Sequence, residues 1–473
     1  MNKLKLFLEN FLVYGLGGII SKIIPFIMVP IVTRLMPEPS YYGISDMSNT
    51  VVSFASAFAI MGMYDAMYRM FFEKEDEEYK KDICSTALVF TLGTSVVIFV
   101  LMVLARDLIS TIFFNDKSFG YLVYITAIAT LLGATNSIVS APTRMQNKRK
   151  VFLIMNTISP ILSYAISIPM LVTGHYIIAL PLAGAVSGFL SEGVFLILNF
   201  RWFQFKRFNI VYLKDLLKIG IPLLPNFLIY WVFNSCDKVM ITNILGTGAT
   251  GIYSVGSKLG QASQLIYMAF AGGWQYFAFS VMKEDNQVKT NSKIFEYLGI
   301  VSFACTVFIF ALSQPIYELL FVGEYVQGYI ISPYLFFAPL LQMLFQVACN
   351  QFLVVKKTWP NMFILSSGAL VNIILNLWLI PIIGIEGAAI ATLIGYVIAD
   401  VVCVCVLCRM ELMVISSNFI IASSIMLTYI LVWRFWLKAS VMISVLTALI
   451  CVSLYLFLYK KDINGLRRMV KGE

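Results

Sequence analysis

The chain has one histidine, and charged residues make up only 12% of its 473 positions. A single imidazole, His175, cannot assemble a zinc or haem site. No glycine-rich phosphate loop occurs, so ATP hydrolysis by the chain itself is not expected. Runs of about ten residues with alternating polarity are absent, which argues against a membrane β-barrel. No cleavable signal peptide is read at the start, because the first apolar run is too long and lacks a small-residue cleavage site.

What is present is apolar. Hydrophobic residues are 60% of the chain and the mean hydropathy is +0.85, values of a protein whose solvent is lipid. A helix needs about 20 apolar residues to cross the hydrocarbon core. Such stretches follow one another almost end to end, over roughly 9–33, 42–68, 83–105, 119–141, 151–173, 177–200, 216–243, 250–281, 294–314, 329–354, 361–382, 386–408, 418–436 and 440–459. The expected fold is therefore an all-α polytopic membrane protein of about fourteen transmembrane helices. Most of the 8 cysteines fall at bilayer depth, where Cys packs as a small hydrophobe.

Lys and Arg in the short loops set the orientation. Of the 34 basic residues, 26 fall on one side, among them Lys80, Lys81, Arg144, Lys148, Arg207 and Lys218. Six fall on the other (Arg34, Arg106, Lys117, Lys238, Arg434 and Lys438), and Lys22 and Lys258 stay within the membrane. Both termini are thus expected in the cytoplasm. The net charge of +9 fits attraction to anionic headgroups of the lipid bilayer, and no nucleic acid partner is expected.

The chain also repeats. Gly43-Ile44 recurs as Gly251-Ile252, and the stripe Asp46, Asn49, Ser53, Ser56 falls on Ser254, Ser257, Gln261, Gln264, each set spaced along one helix face. Lys148-Arg149 maps onto Lys356-Lys357, and Gly174 pairs with Gly384. Six helices match six in a parallel pseudo-twofold repeat. The expected division is an N-terminal lobe over 1–205, a C-terminal lobe over 206–410, and two further helices with a cytoplasmic tail over 411–473. Carriers built this way hold substrate between lobes and rock one against the other.

Polar groups at bilayer depth are functional candidates. The first helix carries Tyr14, Gly18 and Lys22 on one face, then Pro25 and Pro30, with Arg34 at its end. The seventh has Pro222 and Pro225, then Asn226, Tyr230 and Asn234, ending at Asp237-Lys238. The second and eighth add Asp46, Asn49, Ser53, Ser254, Lys258, Gln261 and Gln264. The prolines free backbone carbonyls, tolerated in lipid only against protein or a wet cavity. Lys22, Lys258 and Arg34 make that expected cavity cationic, which suits an anionic cargo such as a diphosphate. Glu192 and Asp400 occupy similar places late in the sixth and twelfth helices. Glu386 reads as a loop residue.

Three stretches carry a resemblance. They are Leu245-Gly246 with Gly251-Ile252-Tyr253-Ser254-Val255-Gly256-Ser257-Lys258-Leu259; Gly220-Ile221-Pro222-Leu223 with Asp237; and Asn372, Asn376, Pro381 and Gly384-Ile385-Glu386-Gly387-Ala388-Ala389. Together they resemble the Wzx-type oligosaccharide flippases of the multidrug/oligosaccharidyl-lipid/polysaccharide exporter superfamily. The resemblance implies a flippase in the bacterial plasma membrane that moves undecaprenyl-diphosphate-linked oligosaccharide units outward for O-antigen, capsule or exopolysaccharide synthesis. It implies Lys22, Arg34 and Lys258 as diphosphate ligands, a proton or sodium as coupling ion, and a glycan polymerase and glycosyltransferases of the same pathway as partners. No cofactor is implied. The alternatives are a multidrug and toxin extrusion antiporter, which needs a buried acid in the N-terminal lobe, and a flippase for the lipid-linked peptidoglycan precursor. An enzyme that polymerises glycan is not expected, since no external loop is long enough to hold a catalytic site.

Overall fold

A computed structural model describes residues 22–280, 286–355, 357 and 359–464. Every regular element among them is helical. We number the helices α1 (22–35), α2 (Pro39–Ile60), α3 (Met63–Phe71), α4 (Glu77–Leu104), α5 (Arg106–Phe114), α6 (Gly120–Met145), α7 (Arg149–Val172) and α8 (Tyr176–Asn199). They continue as α9 (Ile210–Gly220), α10 (Leu224–Trp231), α11 (Asp237–Leu245), α12 (Thr247–Gly260), α13 (Ser263–Ser280), α14 (Gln287–Leu320) and α15 (Ser332–Val354). The last four are α16 (Trp359–Ile383), α17 (Ile385–Arg409), α18 (Ser417–Phe435) and α19 (Val441–Leu458).

Among the described residues, 11 helical spans are long and apolar enough to cross a membrane, or 12 if the bent pair α2–α3 is one span. This is the all-helical membrane architecture expected, but the count of fourteen is not reproduced, for physical reasons at two places. The first expected span lies largely outside the described residues. The eighth is broken at Gln261-Ala262, leaving α12 at 14 residues, shorter than a bilayer crossing. The bend of 47° between α2 and α3 sits at Met61 and Gly62, both in the left-handed region (φ 48 and 69). Gly62 is also where a Cβ would come within 2.4 Å of the Gly220 carbonyl oxygen, so only glycine fits.

The helices form two compact units, Met1–Ser254 and Val255–Glu473. Their division falls inside α12. Within the first unit, α6 packs on α4 and α8. The segment joining α8 to α9 is clamped to the start of α4: Arg207 reaches Glu78 at 2.5 Å and Asp82 at 3.1 Å, and the Ser85 hydroxyl accepts from Gln204 N–H at 3.0 Å. In the second unit α15 is the central helix, with 78% of its most apolar window buried, against 22% for α19. Side chains such as Val97, Leu104, Leu377 and Leu446 remain exposed on outer faces, as a lipid solvent allows.

The repeat is visible in the backbone. Gly174 precedes α8 with φ 87, and Gly384 precedes α17 with φ 65. Each turns the chain where side-chain-bearing residues are strained. Glu386 does not lie in a loop as its sequence position suggested. It occupies the first turn of α17, where Arg434 Nε donates to it at 2.8 Å and the Tyr334 hydroxyl at 3.0 Å.

Candidate functional site

The polar groups of the first unit converge where α2 meets α11 and α12. The approach is set by two glycines. A Cβ on Gly43 would lie 2.1 Å from the Thr247 carbonyl oxygen, and one on Gly251 only 1.9 Å from that of Pro39. These are the glycines of the two Gly-Ile repeats, so the duplicated motif makes one backbone-to-backbone crossing. Small residues are the usual means by which helices in lipid come this close.

One turn beyond the crossing lies a buried ion pair. Lys238 Nζ donates to Asp46 Oδ2 at 2.7 Å, with the side chains 8% and 5% exposed. The Ser254 hydroxyl donates to the same oxygen at 2.8 Å. Lys238 also donates its backbone N–H to Asp237 Oδ1 at 2.8 Å, and the Tyr253 hydroxyl donates to Asp237 Oδ2. Both carboxylates therefore accept charge-assisted or hydroxyl bonds, as burial requires. Thr242 completes the set, donating to the Lys238 carbonyl at 2.8 Å and lying 2.7 Å from the Thr250 hydroxyl.

The local sequence places these groups. Proline cannot donate to the helix ladder, and the chain takes a 3₁₀ turn at Ile221–Leu223 around Pro222. A π-helical turn follows at Val232–Cys236, immediately before Asp237. Such an insertion rotates the residues after it, and it recurs at functional sites. Gly246, with φ 93, then lets α12 fold back so that Tyr253 reaches Asp237 at the start of α11 and Ser254 reaches Asp46.

Of the residues expected to form the site, Asp46, Asp237 and Ser254 are brought together in this network. Ser53 joins its margin, accepting from Trp231 Nε1 at 3.1 Å. Asn49 and Ser53 are exposed on α2, as are Tyr230 and Asn234, with Asn226 half-buried, on the segment entering α11; Asn234 donates to the Tyr230 carbonyl at 2.7 Å. Lys22 and Arg34 are exposed on α1. Lys258, Gln261 and Gln264 are half-buried and belong to the second unit. Tyr14 lies outside the described residues. Lys238 is the residue that sequence reasoning missed: counted with the outer loops, it is buried. Its signal was Asp46, an acid at bilayer depth that required a base.

The family described as "Polysaccharide biosynthesis protein" matches residues 31–330. No sequence among the curated proteins matches the chain. Among solved structures, one titled "Lipid II flippase MurJ, inward closed conformation" has a TM-score of 0.70 at 17% identity, covering 96% of this chain and 100% of that one. An outward-facing multidrug resistance MATE family transporter of the MOP superfamily has 0.60 at 13%, covering 86% and 95%. A Vibrio cholerae MATE transporter, VcmN, has 0.60 at 14%, covering 84% and 94%. These identities speak for a shared fold.

Proposed function

The chain belongs to the polysaccharide biosynthesis protein family, and from that premise we propose that it is a flippase for undecaprenyl-diphosphate-linked oligosaccharide units. In this reading it works by alternating access in the bacterial plasma membrane, with both termini cytoplasmic. The glycan and diphosphate cross along protein polar faces while the prenyl tail stays in lipid. Lys22, Arg34 and Lys258 serve the diphosphate, and Asn49, Ser53, Tyr230 and Asn234 offer hydrogen bonds to sugars.

The observation that carries this reading is the Asp46–Lys238–Ser254 network beside the Gly43–Gly251 crossing. A carrier that alternates needs helices that can part and rejoin. Here close packing is held by a few charge-assisted bonds that a competing anion can replace. An incoming diphosphate that draws Lys238 away from Asp46 would release α2 from α11 and α12. Structures of this fold carry titles naming both inward-facing and outward-facing conformations, which supports such a cycle. The cationic-drug antiporter reading needs a buried N-terminal acid free to take a cation, and Asp46 is already held by Lys238. The lipid-linked peptidoglycan precursor shares the diphosphate chemistry, and the fold match to a lipid II flippase keeps it as the second cargo.

Replacing Lys22 by alanine tests the cargo role. We expect surface glycan to fall about tenfold while the protein remains in the membrane. Undiminished export by this variant would remove Lys22 from the mechanism.

A further inference from the structure

Asp400, on α17, is only 8% exposed, and neither of its carboxyl oxygens has a hydrogen-bond partner among the described residues. Helix α17 packs on α15 and α16. Those two helices contain no Asp, Glu, Lys, Arg or His. Among the described residues, the titratable groups facing the carboxyl are two thiols, Cys349 on α15 and Cys403 one turn along α17, whose sulfurs lie 3.8 Å apart. On α17 itself, Glu386 is held by Arg434, and Arg409 lies nine residues further on, about two and a half turns away. An ionised carboxylate without a donor or counter-charge is untenable at this depth, whereas a neutral acid is tolerated.

We propose that Asp400 is a proton-carrying site, which holds a proton in the state described here and gives it up when the helices around it rearrange. The proposal rests on the transport reading and names the residue through which a proton gradient would act on it. The ion is a proton because a sodium ion takes several oxygen ligands, and the neighbours of this carboxyl present sulfur.

The test uses the full-length protein in phosphatidylethanolamine–phosphatidylglycerol vesicles and dicyclohexylcarbodiimide, an apolar reagent that modifies protonated buried carboxyls. Mass spectrometry should find the reagent on Asp400, with labelling falling about tenfold as the medium is made alkaline. In a second arm, the apparent affinity for undecaprenyl diphosphate should depend on pH in the unmodified protein, by reciprocal linkage. Subtracting the profile of Asp400→Asn, which should still bind, removes the titration of the probe. No labelling of Asp400, labelling that ignores pH, or an Asp400→Asn profile identical to the unmodified one would each overturn the proposal. Failure of the unmodified protein to bind the probe would instead count against the cargo reading, and the labelling arm would still decide the proton site.

Discussion

Asp46 and Ser254, equivalent positions 208 residues apart in the repeat, are hydrogen-bonded to each other at 2.8 Å. Lys238 is bound to the same carboxylate oxygen at 2.7 Å. The duplication therefore accounts for more than similar lobes: its two copies of one motif meet. A pair of glycines sets the spacing, and an acid in one copy takes a hydroxyl from the other. The lysine is what lets that acid remain charged away from water.

The first prediction concerns that charge pair. Removing one partner of a buried ion pair costs about 3–5 kcal/mol, because the other is left uncompensated. Lys238→Met and Asp46→Ala should each lower the thermal midpoint of the detergent-solubilised protein clearly. The double variant should recover much of the loss, since neither charge is then stranded. Additive losses in the double variant would mean that the two side chains are not coupled.

The glycine crossing gives a second, steric prediction. Gly251→Ala puts a Cβ against the Pro39 carbonyl, and overpacking of this kind costs about 1–3 kcal/mol. Gly248→Ala, on the same helix but with nothing within 4 Å of its Cβ, should be neutral. Comparing their thermal midpoints isolates the crossing from helix propensity, which favours alanine at both.

A third prediction lies in the second unit. Arg434 joins α18 to Glu386 at the start of α17, and Tyr334 of α15 donates to the same carboxylate. Arg434→Ala should cost about 1–3 kcal/mol by leaving that carboxylate short of a donor. Hydrogen exchange should then speed up at the start of α17 and along α18, with α16 unchanged. Uniform exchange in all three would refute this local role.

Fourth, the exposed bond between Trp231 and Ser53 should matter little to folding. Ser53→Ala removes the accessible bond from Trp231 and the hydroxyl's bond to the Thr50 carbonyl within its own helix, each worth about 0.5–1.5 kcal/mol at most. If Ser53 serves sugar binding, export should fall more than the thermal midpoint does. A midpoint loss as large as that of Lys238→Met would show that Ser53 is structural instead.

Much of the fold was legible because a bilayer dictates helix length and forbids unpaired backbone. The bend at Met61-Gly62 and the break at Gln261-Ala262 were not legible, since hydropathy averages over a window and misses one left-handed residue or one interrupted turn. Asp46, Asp237 and Ser254 could be read as site residues because polar side chains in an apolar stretch stand out. Lys238 could not, because its distance from the helix end was counted in residues. The π-helical turn before Asp237 and the fold-back at Gly246 place it inward, and both are features of backbone geometry rather than composition. Asp400 was legible as an interior acid, but its lack of a hydrogen-bond partner among the described residues depends on how α15 and α16 pack against α17, which composition does not show.

The most direct measurement of the central claim is transfer of a fluorescent undecaprenyl-diphosphate-linked oligosaccharide across vesicles containing the purified protein, read by access of an added lectin to the far leaflet. The account predicts protein-dependent access, reduced about tenfold in the Lys22→Ala and Lys258→Ala variants. Access no greater than in protein-free vesicles, under either direction of pH gradient, would contradict it.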